Sequence, residues 1–113
     1  MAVYHTPLGA AATAALDAAF ARLTDDAPGA PETLIVQERR FSVPRAAHGV
    51  ARASFAELCG RAVGAADYLA LAVHFHTLVL DGVPVLEASR RNEARRFVTL
   101  VDALYEHRAK LIC

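Results

Sequence analysis

Phe75-His76-Thr77-Leu78-Val79-Leu80-Asp81-Gly82, followed through to Cys113, reads as strand, turn, long helix and strand. Leu78-Val79-Leu80 is a continuous apolar run, and Asp81-Gly82 breaks it. From about Glu87 to His107, apolar residues recur at helical spacing. Ala94, Phe97, Val98, Val101, Leu104 and Tyr105 predict the buried face of that helix. Arg95, Thr99, Asp102 and Glu106 are expected on the opposite side. Lys110-Leu111-Ile112-Cys113 opens a second apolar run. Strands that are apolar throughout and joined by a helix belong to an α/β sheet covered on both faces. Leu78–Leu80 and Leu111–Cys113 are therefore expected to be parallel neighbours with a right-handed crossover. No polar cap or turn closes the second run, which predicts that the chain is a fragment of a larger sheet.

Upstream of that β-α-β unit, Ser54-Phe55-Ala56-Glu57 matches the capping box. The serine hydroxyl can take the N3 amide while the glutamate reaches back. A short helix should follow to Cys59 and stop at Gly60. A second helix is expected from about Ala65 to Val73, with Ala65, Tyr68, Leu69 and Ala72 on one face. Leu34-Ile35-Val36 and Phe41-Ser42-Val43 read as a hairpin around the polar stretch Gln37 to Arg40. Pro44 should end the second strand or mark it as an edge. Val50 to Ala53 adds a third short strand, giving a small antiparallel sheet. Ala27-Pro28-Gly29-Ala30-Pro31 reads as loop. At the front, Thr6 and Pro7 start a helix to about Thr24. Ala12, Ala15, Leu16, Ala19, Phe20 and Leu23 form its narrow apolar stripe. The expected organisation is one unit of residues 1–113 in three parts: helix and loop (1–31), hairpin region (32–53) and α/β unit (54–113).

The chain has 113 residues and a formal net charge of zero, enough for one domain. Neutral balance gives no field to gather nucleic acid or an anionic membrane surface. No apolar run approaches the ~18–20 residues of a membrane span. The Ala-rich start has no preceding Lys or Arg and is interrupted by Asp17, so it does not read as a secretory signal. Cys59 and Cys113 are the only cysteines and form no C-x-x-C pair. A reduced, cytoplasmic setting is the simplest reading.

Tests for chemistry exclude more than they include. G-x-x-x-x-G-K-[ST] and G-x-G-x-x-G are both absent, and Lys110, the only lysine, has no glycine at the required spacing. Asp81 at a strand end could hold magnesium in an ATPase, but Gly82 after it favours a plain turn. His74 and His76 could begin a metal site, giving a distant reading as a small metalloprotein. Zinc wants three or four converging ligands, and Cys59 is the nearest thiol; His5, His48 and His107 are scattered. Asp67 with Asp81, or Asp102 with Glu106, could be named as carboxylate pairs, the latter only as a solvated helix face. G-x-S-x-G is absent, so a nucleophile elbow is unsupported.

Arg90, Arg91, Arg95 and Arg96 are the most informative charges. They crowd the first turns of the last helix, where the dipole disfavours cations. Glu87 or Glu93, a phosphate, or a neighbouring subunit would compensate them.

Three blocks then carry a resemblance: Phe55 to Cys59, Gly64-Ala65-Ala66-Asp67-Tyr68-Leu69-Ala70-Leu71-Ala72, and Phe75 to Pro84. Together with Arg91-Asn92-Glu93-Ala94-Arg95-Arg96-Phe97 through His107, and Tyr4-His5-Thr6-Pro7-Leu8-Gly9, the chain resembles the ZapE family of bacterial cell-division ATPases and their mitochondrial Afg-type relatives. The resemblance implies a partial P-loop NTPase-like domain of the AAA+ type, of which this chain is the C-terminal part. It implies ATP and magnesium as cofactors of the full-length protein, held by a phosphate loop and an acidic strand that this chain lacks. On this reading the chain alone is inert. Its partners would be the remainder of the ATPase domain, neighbouring subunits and division proteins. Arg91, Arg95 and Arg96 become the implied nucleotide-sensing or subunit-interface residues. The rival reading is a binding module that docks onto a full-length ATPase or a division protein. At Glu38 the family often shows glycine, so a wider hairpin loop is expected in place of a tight left-handed turn.

Overall fold

The structure, a computed structural model, describes residues 2–3 and 10–113. The helix start expected at Thr6-Pro7, the block Tyr4–Gly9 and His5 lie outside those residues. Alternating apolar and Ala-rich segments give the order β1 (Ala2–Val3), α1 (Ala10–Leu23), β2 (Ala30–Val36), β3 (Arg39–Ala47), β4 (Val50–Ser54) and α2 (Phe55–Leu58). Then come α3 (Ala65–His74), β5 (Thr77–Asp81), α4 (Arg91–Glu106) and β6 (Lys110–Ile112). A single 3₁₀ turn, Ala88–Arg90, leads into α4.

One mixed sheet joins all six strands in the order β1-β6-β5-β4-β3-β2. β1, β6, β5 and β4 run parallel to their neighbours, whereas β3 and β2 add on antiparallel. The expected parallel pairing of the last two apolar runs is present, with Leu78 opposite Leu111. The separate antiparallel sheet is not. Ala51 on β4 faces Ala46 on one side and Leu78 on the other, so the hairpin is the outer half of the same sheet.

The continuous run on β5 is explained by what covers it. Side chains alternate across a strand. Leu78 and Leu80 join the larger core formed with Phe55, Leu58, Tyr68, Leu71, Leu100 and Leu104 of α2, α3 and α4. Val79 faces the other way, onto Leu16 and Phe20 of α1, with Val50 beside it. The sheet is thus packed on both faces.

Four local expectations are corrected. Buried residues of α4 centre on Leu100 and Leu104, with Phe97 and Val101 half-buried; Val98 and Tyr105 are 57% and 83% exposed. The docked stripe is rotated away from those two because Leu100 points straight into the core. The hairpin is tight: Gln37 and Glu38 have φ of 50 and 65, and Val36 pairs with Arg39. A two-residue turn with both φ positive matches strand twist so well that it forms here without glycine. β3 continues through Pro44, which lies at a register irregularity between the Val43–Glu32 and Ala46–Ala30 pairs, a place where the missing N–H is tolerated. β2 begins at Ala30, inside the stretch expected to be loop.

Candidate functional site

In open α/β sheets, ligands bind beyond the carboxyl ends of parallel strands. Here that edge holds Ser54 and Asp81, which end β4 and β5 and pair in register. The chain crosses from Asp81 into α4, so the arginine-rich start of that helix follows directly from the edge.

Behind the edge lies a buried cation that the sequence reading did not single out. Arg52 on β4 is 8% exposed. Its Nη2 donates to Asp81 Oδ2 at 3.3 Å, and its Nη1 donates to Asp17 Oδ1 on α1. Val50 and Arg52, two residues apart, share the α1 face of β4. The available signal was one charge inside Val50-Ala51-Arg52-Ala53, since an arginine is almost never buried unless paired. This contact tests the idea of a magnesium carboxylate. The Asp81 carboxylate already meets a guanidinium, and Gly82 turns the chain with φ of 74. The residues present do not fit ATP with magnesium: the acid is engaged and the sequence holds no phosphate loop.

The arginine cluster separates into two kinds. Arg90 lies 3.7 Å from Glu93 one turn on. Arg96 Nη1 donates to the Cys59 carbonyl at 3.1 Å, tying α4 to the end of α2. Arg91 and Arg95 are exposed and have no partner among the described residues. No side chain caps the start of α4.

The short helix α2 is held at both ends. Its capping box forms as expected: the Glu57 amide donates to Ser54 Oγ at 3.1 Å, and the Ser54 amide donates to Glu57 Oε1 at 2.9 Å. At the far end the Tyr68 hydroxyl donates to the Leu58 carbonyl at 2.5 Å and lies 3.9 Å from Cys59 Sγ. Burial pushes the Cys59 thiol up from 9.0 to about 11, and burial also raises Tyr68. A thiol held protonated in this way is a poor nucleophile. The unfolded thiol ionises near 9.0, whereas the folded one resists until about 11. The contribution of this thiol to folding stability is therefore full below pH 9 and lost as pH rises toward 11. Thermal melts across pH 8–11 should show the decline, and Cys59→Ala should make it shallower without abolishing it, because burial raises Tyr68 and Cys113 as well.

The histidines do not converge. His74 Nε2 pairs with Glu32. His76 Nε2 contacts the His48 carbonyl at 3.0 Å, and its Nδ1 contacts Thr77 Oγ1 at 2.8 Å. Among the described residues no group of three His, Cys, Asp or Glu is placed to hold a metal. Asp67 accepts from the Gly64 amide at 3.0 Å and from Arg39 at 3.2 Å. Asp67 and Asp81 are thus each neutralised by a separate arginine and do not act as a pair. Asp102 and Glu106 are exposed.

The family model for AFG1-like ATPases matches residues 1–113. Lactation elevated protein 1 homolog B of Danio rerio is 38% identical over 82 residues, 73% of this chain and 16% of its own length. An uncharacterized protein of Schizosaccharomyces pombe is 38% identical over 85 residues, 75% of this chain and 19% of its own. Cell division protein ZapE of Escherichia coli K12 is 39% identical over 80 residues, 71% of this chain and 21% of its own. The chain thus spans about a fifth of the length of these relatives. No solved structure matches it. Among the described residues no helix is long and apolar enough to cross a membrane.

Proposed function

The chain belongs to the AFG1-like ATPase family, and from that premise we propose that it is the C-terminal sheet segment of a ZapE-like ATPase that acts in cell division. In this reading it supplies strands β4, β5 and β6 and their covering helices. The groups that grip nucleotide come from elsewhere in the domain. Arg91 and Arg95 are the guanidiniums left to meet a phosphate or a neighbouring subunit, and Arg96 steadies α4 through the Cys59 carbonyl.

One observation carries the reading. A family match over the whole chain coexists with a sequence that has no phosphate loop and with a strand-end acid engaged by Arg52. Backbone amides and a lysine are what hold a triphosphate, and neither cradle nor lysine stands at this edge. Isothermal titration of the isolated chain with ATP and magnesium should show no binding up to millimolar nucleotide. Sub-millimolar affinity would place a complete nucleotide site within these residues and overturn the proposal.

A further inference from the structure

The outward face of α4 is arranged against its own helix. Arg91 and Arg95 stand near the start, and Asp102 and Glu106 near the end, with no basic residue in the last turn. The macrodipole favours the reverse order at both ends. Like charges four residues apart also repel, and this face carries two such pairs. Glu93 in the first turn answers part of the dipole's demand, but no ion pair among the described residues relieves the two like-charge pairs. Arg90 and Arg96 have intramolecular partners, but Arg91, Arg95, Asp102 and Glu106 are exposed and unpaired among the described residues. Arg108 and Lys110 lie beyond the helix end and form no ion pair with the two acids.

These four charges, with Val98 and Tyr105, make one stripe. At 3.6 residues per turn, Arg91, Arg95, Val98, Asp102, Tyr105 and Glu106 fall within an arc of about 100°. Val98 and Tyr105 are two of the exposed large apolar side chains, at 57% and 83%. The stripe's four charges are also symmetric about the middle of the helix. Arg91 and Glu106 lie equally far from the point between Val98 and Thr99, and so do Arg95 and Asp102. Two such helices laid antiparallel would bring Arg91 level with the partner's Glu106, and Arg95 level with the partner's Asp102. Val98 would lie level with the partner's Thr99, so that the two Val98 side chains flank the axis, and opposite dipole ends would lie together.

We infer that this face of α4 is a homotypic docking surface whose occupant is a second copy of the chain, related by a twofold axis that crosses the helix between Val98 and Thr99. The inference deepens the subunit-interface role of Arg91 and Arg95 given above, and it requires no nucleotide. A self-complementary patch of this kind is what a closed twofold interface demands. The stripe is short, so the dimer is weak, and exposed charge pairs make it sensitive to salt.

Sedimentation velocity on the whole 113-residue chain, without nucleotide, tests this. A concentration-dependent dimer is expected, loosened by 0.5 M salt. Arg95→Asp sets acid against acid at two symmetric points, and Asp102→Arg sets base against base. Each variant alone should self-associate on the order of tenfold more weakly. Mixed in equal amounts, the two should form a heterodimer, because every facing pair is then opposite in sign. That recovery also shows that both variants are folded. A wild-type chain that stays monomeric at millimolar concentration, a dimer indifferent to Arg95→Asp, or a mixture that fails to associate overturns the inference. None of these results bears on ATP binding by the isolated chain, which stands or falls by the titration.

Discussion

The double substitution Asp17→Asn with Asp81→Asn should lower the unfolding free energy by about 3 kcal/mol. Arg52 would keep its charge at 8% exposure while losing both carboxylates that face it. Stranding a buried ion costs more than the pair itself contributes, because the charge can no longer recover its hydration. The expected figure sits at the low end of such losses because the Asp17 side chain is 56% exposed and Asp81 31% exposed. Asp17→Asn alone should therefore be mild and Asp81→Asn alone intermediate. The discriminating step is a third change. Adding Arg52→Met to the double variant removes the stranded charge and leaves an apolar side chain of similar length against Val50 and Val79. It should restore most of the loss, since replacing a whole buried ion group by apolar packing is often neutral. Urea unfolding followed by circular dichroism reads the four variants against the unsubstituted chain. If the triple variant is no better than the double, the cost came from the loss of carboxylate hydrogen bonds elsewhere, and Arg52 is not the reason.

That network shows why part of the site was invisible in the chain. Asp17, Arg52 and Asp81 are separated by 35 and 29 positions, and no local pattern joins them. By contrast the β-α-β unit was plain. The uninterrupted Leu78-Val79-Leu80 reads as buried on both sides, and α1 on one face and α2, α3 and α4 on the other supply those two covers. That β4 would pair parallel to β5 was not legible, because Val50-Ala51-Arg52-Ala53 says nothing of which neighbour lies on its second edge. The phase of α4 was half legible. Its apolar residues at 97, 98, 100, 101, 104 and 105 cover too wide an arc for spacing alone to choose the docked side. Tertiary packing chose Leu100 and Leu104 and left Val98 and Tyr105 outside. At Gln37-Glu38 the hairpin was legible from the polar stretch, but its tightness was not, because the flanking strands imposed a two-residue turn without glycine. The arginine cluster was recognised as an electrostatic anomaly; only the folded chain could show that Arg90 and Arg96 are answered internally and Arg91 and Arg95 are not.

Tyr68→Ala should cost about 3–5 kcal/mol, comparable to other large buried aromatic truncations. Tyr68 is 1% exposed in the larger core. Its truncation leaves a cavity among Leu58, Leu71 and Leu104, and it removes the donor to the Leu58 carbonyl as well. Tyr68→Phe isolates the second effect. It keeps the ring and leaves a buried carbonyl without its donor, so about 1–2 kcal/mol is expected. The consequence extends past stability. Four residues, Phe55–Leu58, cannot form a helix unaided. Its capping box fixes one end, while Tyr68 from α3 and Arg96 from α4 hold the last two carbonyls, Leu58 and Cys59. Arg96→Ala should therefore be partly redundant with Tyr68→Phe. Once either has loosened α2, the other hydrogen bond has less order to preserve, and the two losses should sum to more than the double variant shows. Amide exchange supplies the local readout: Gly60, whose amide donates to Phe55 and Ala56, should lose protection in each variant while the β5 amides keep theirs. Full additivity together with unchanged exchange at Gly60 would mean that the tyrosine stabilises only by filling space, and that the link from α2 through α3 to the arginine helix carries no strain between them.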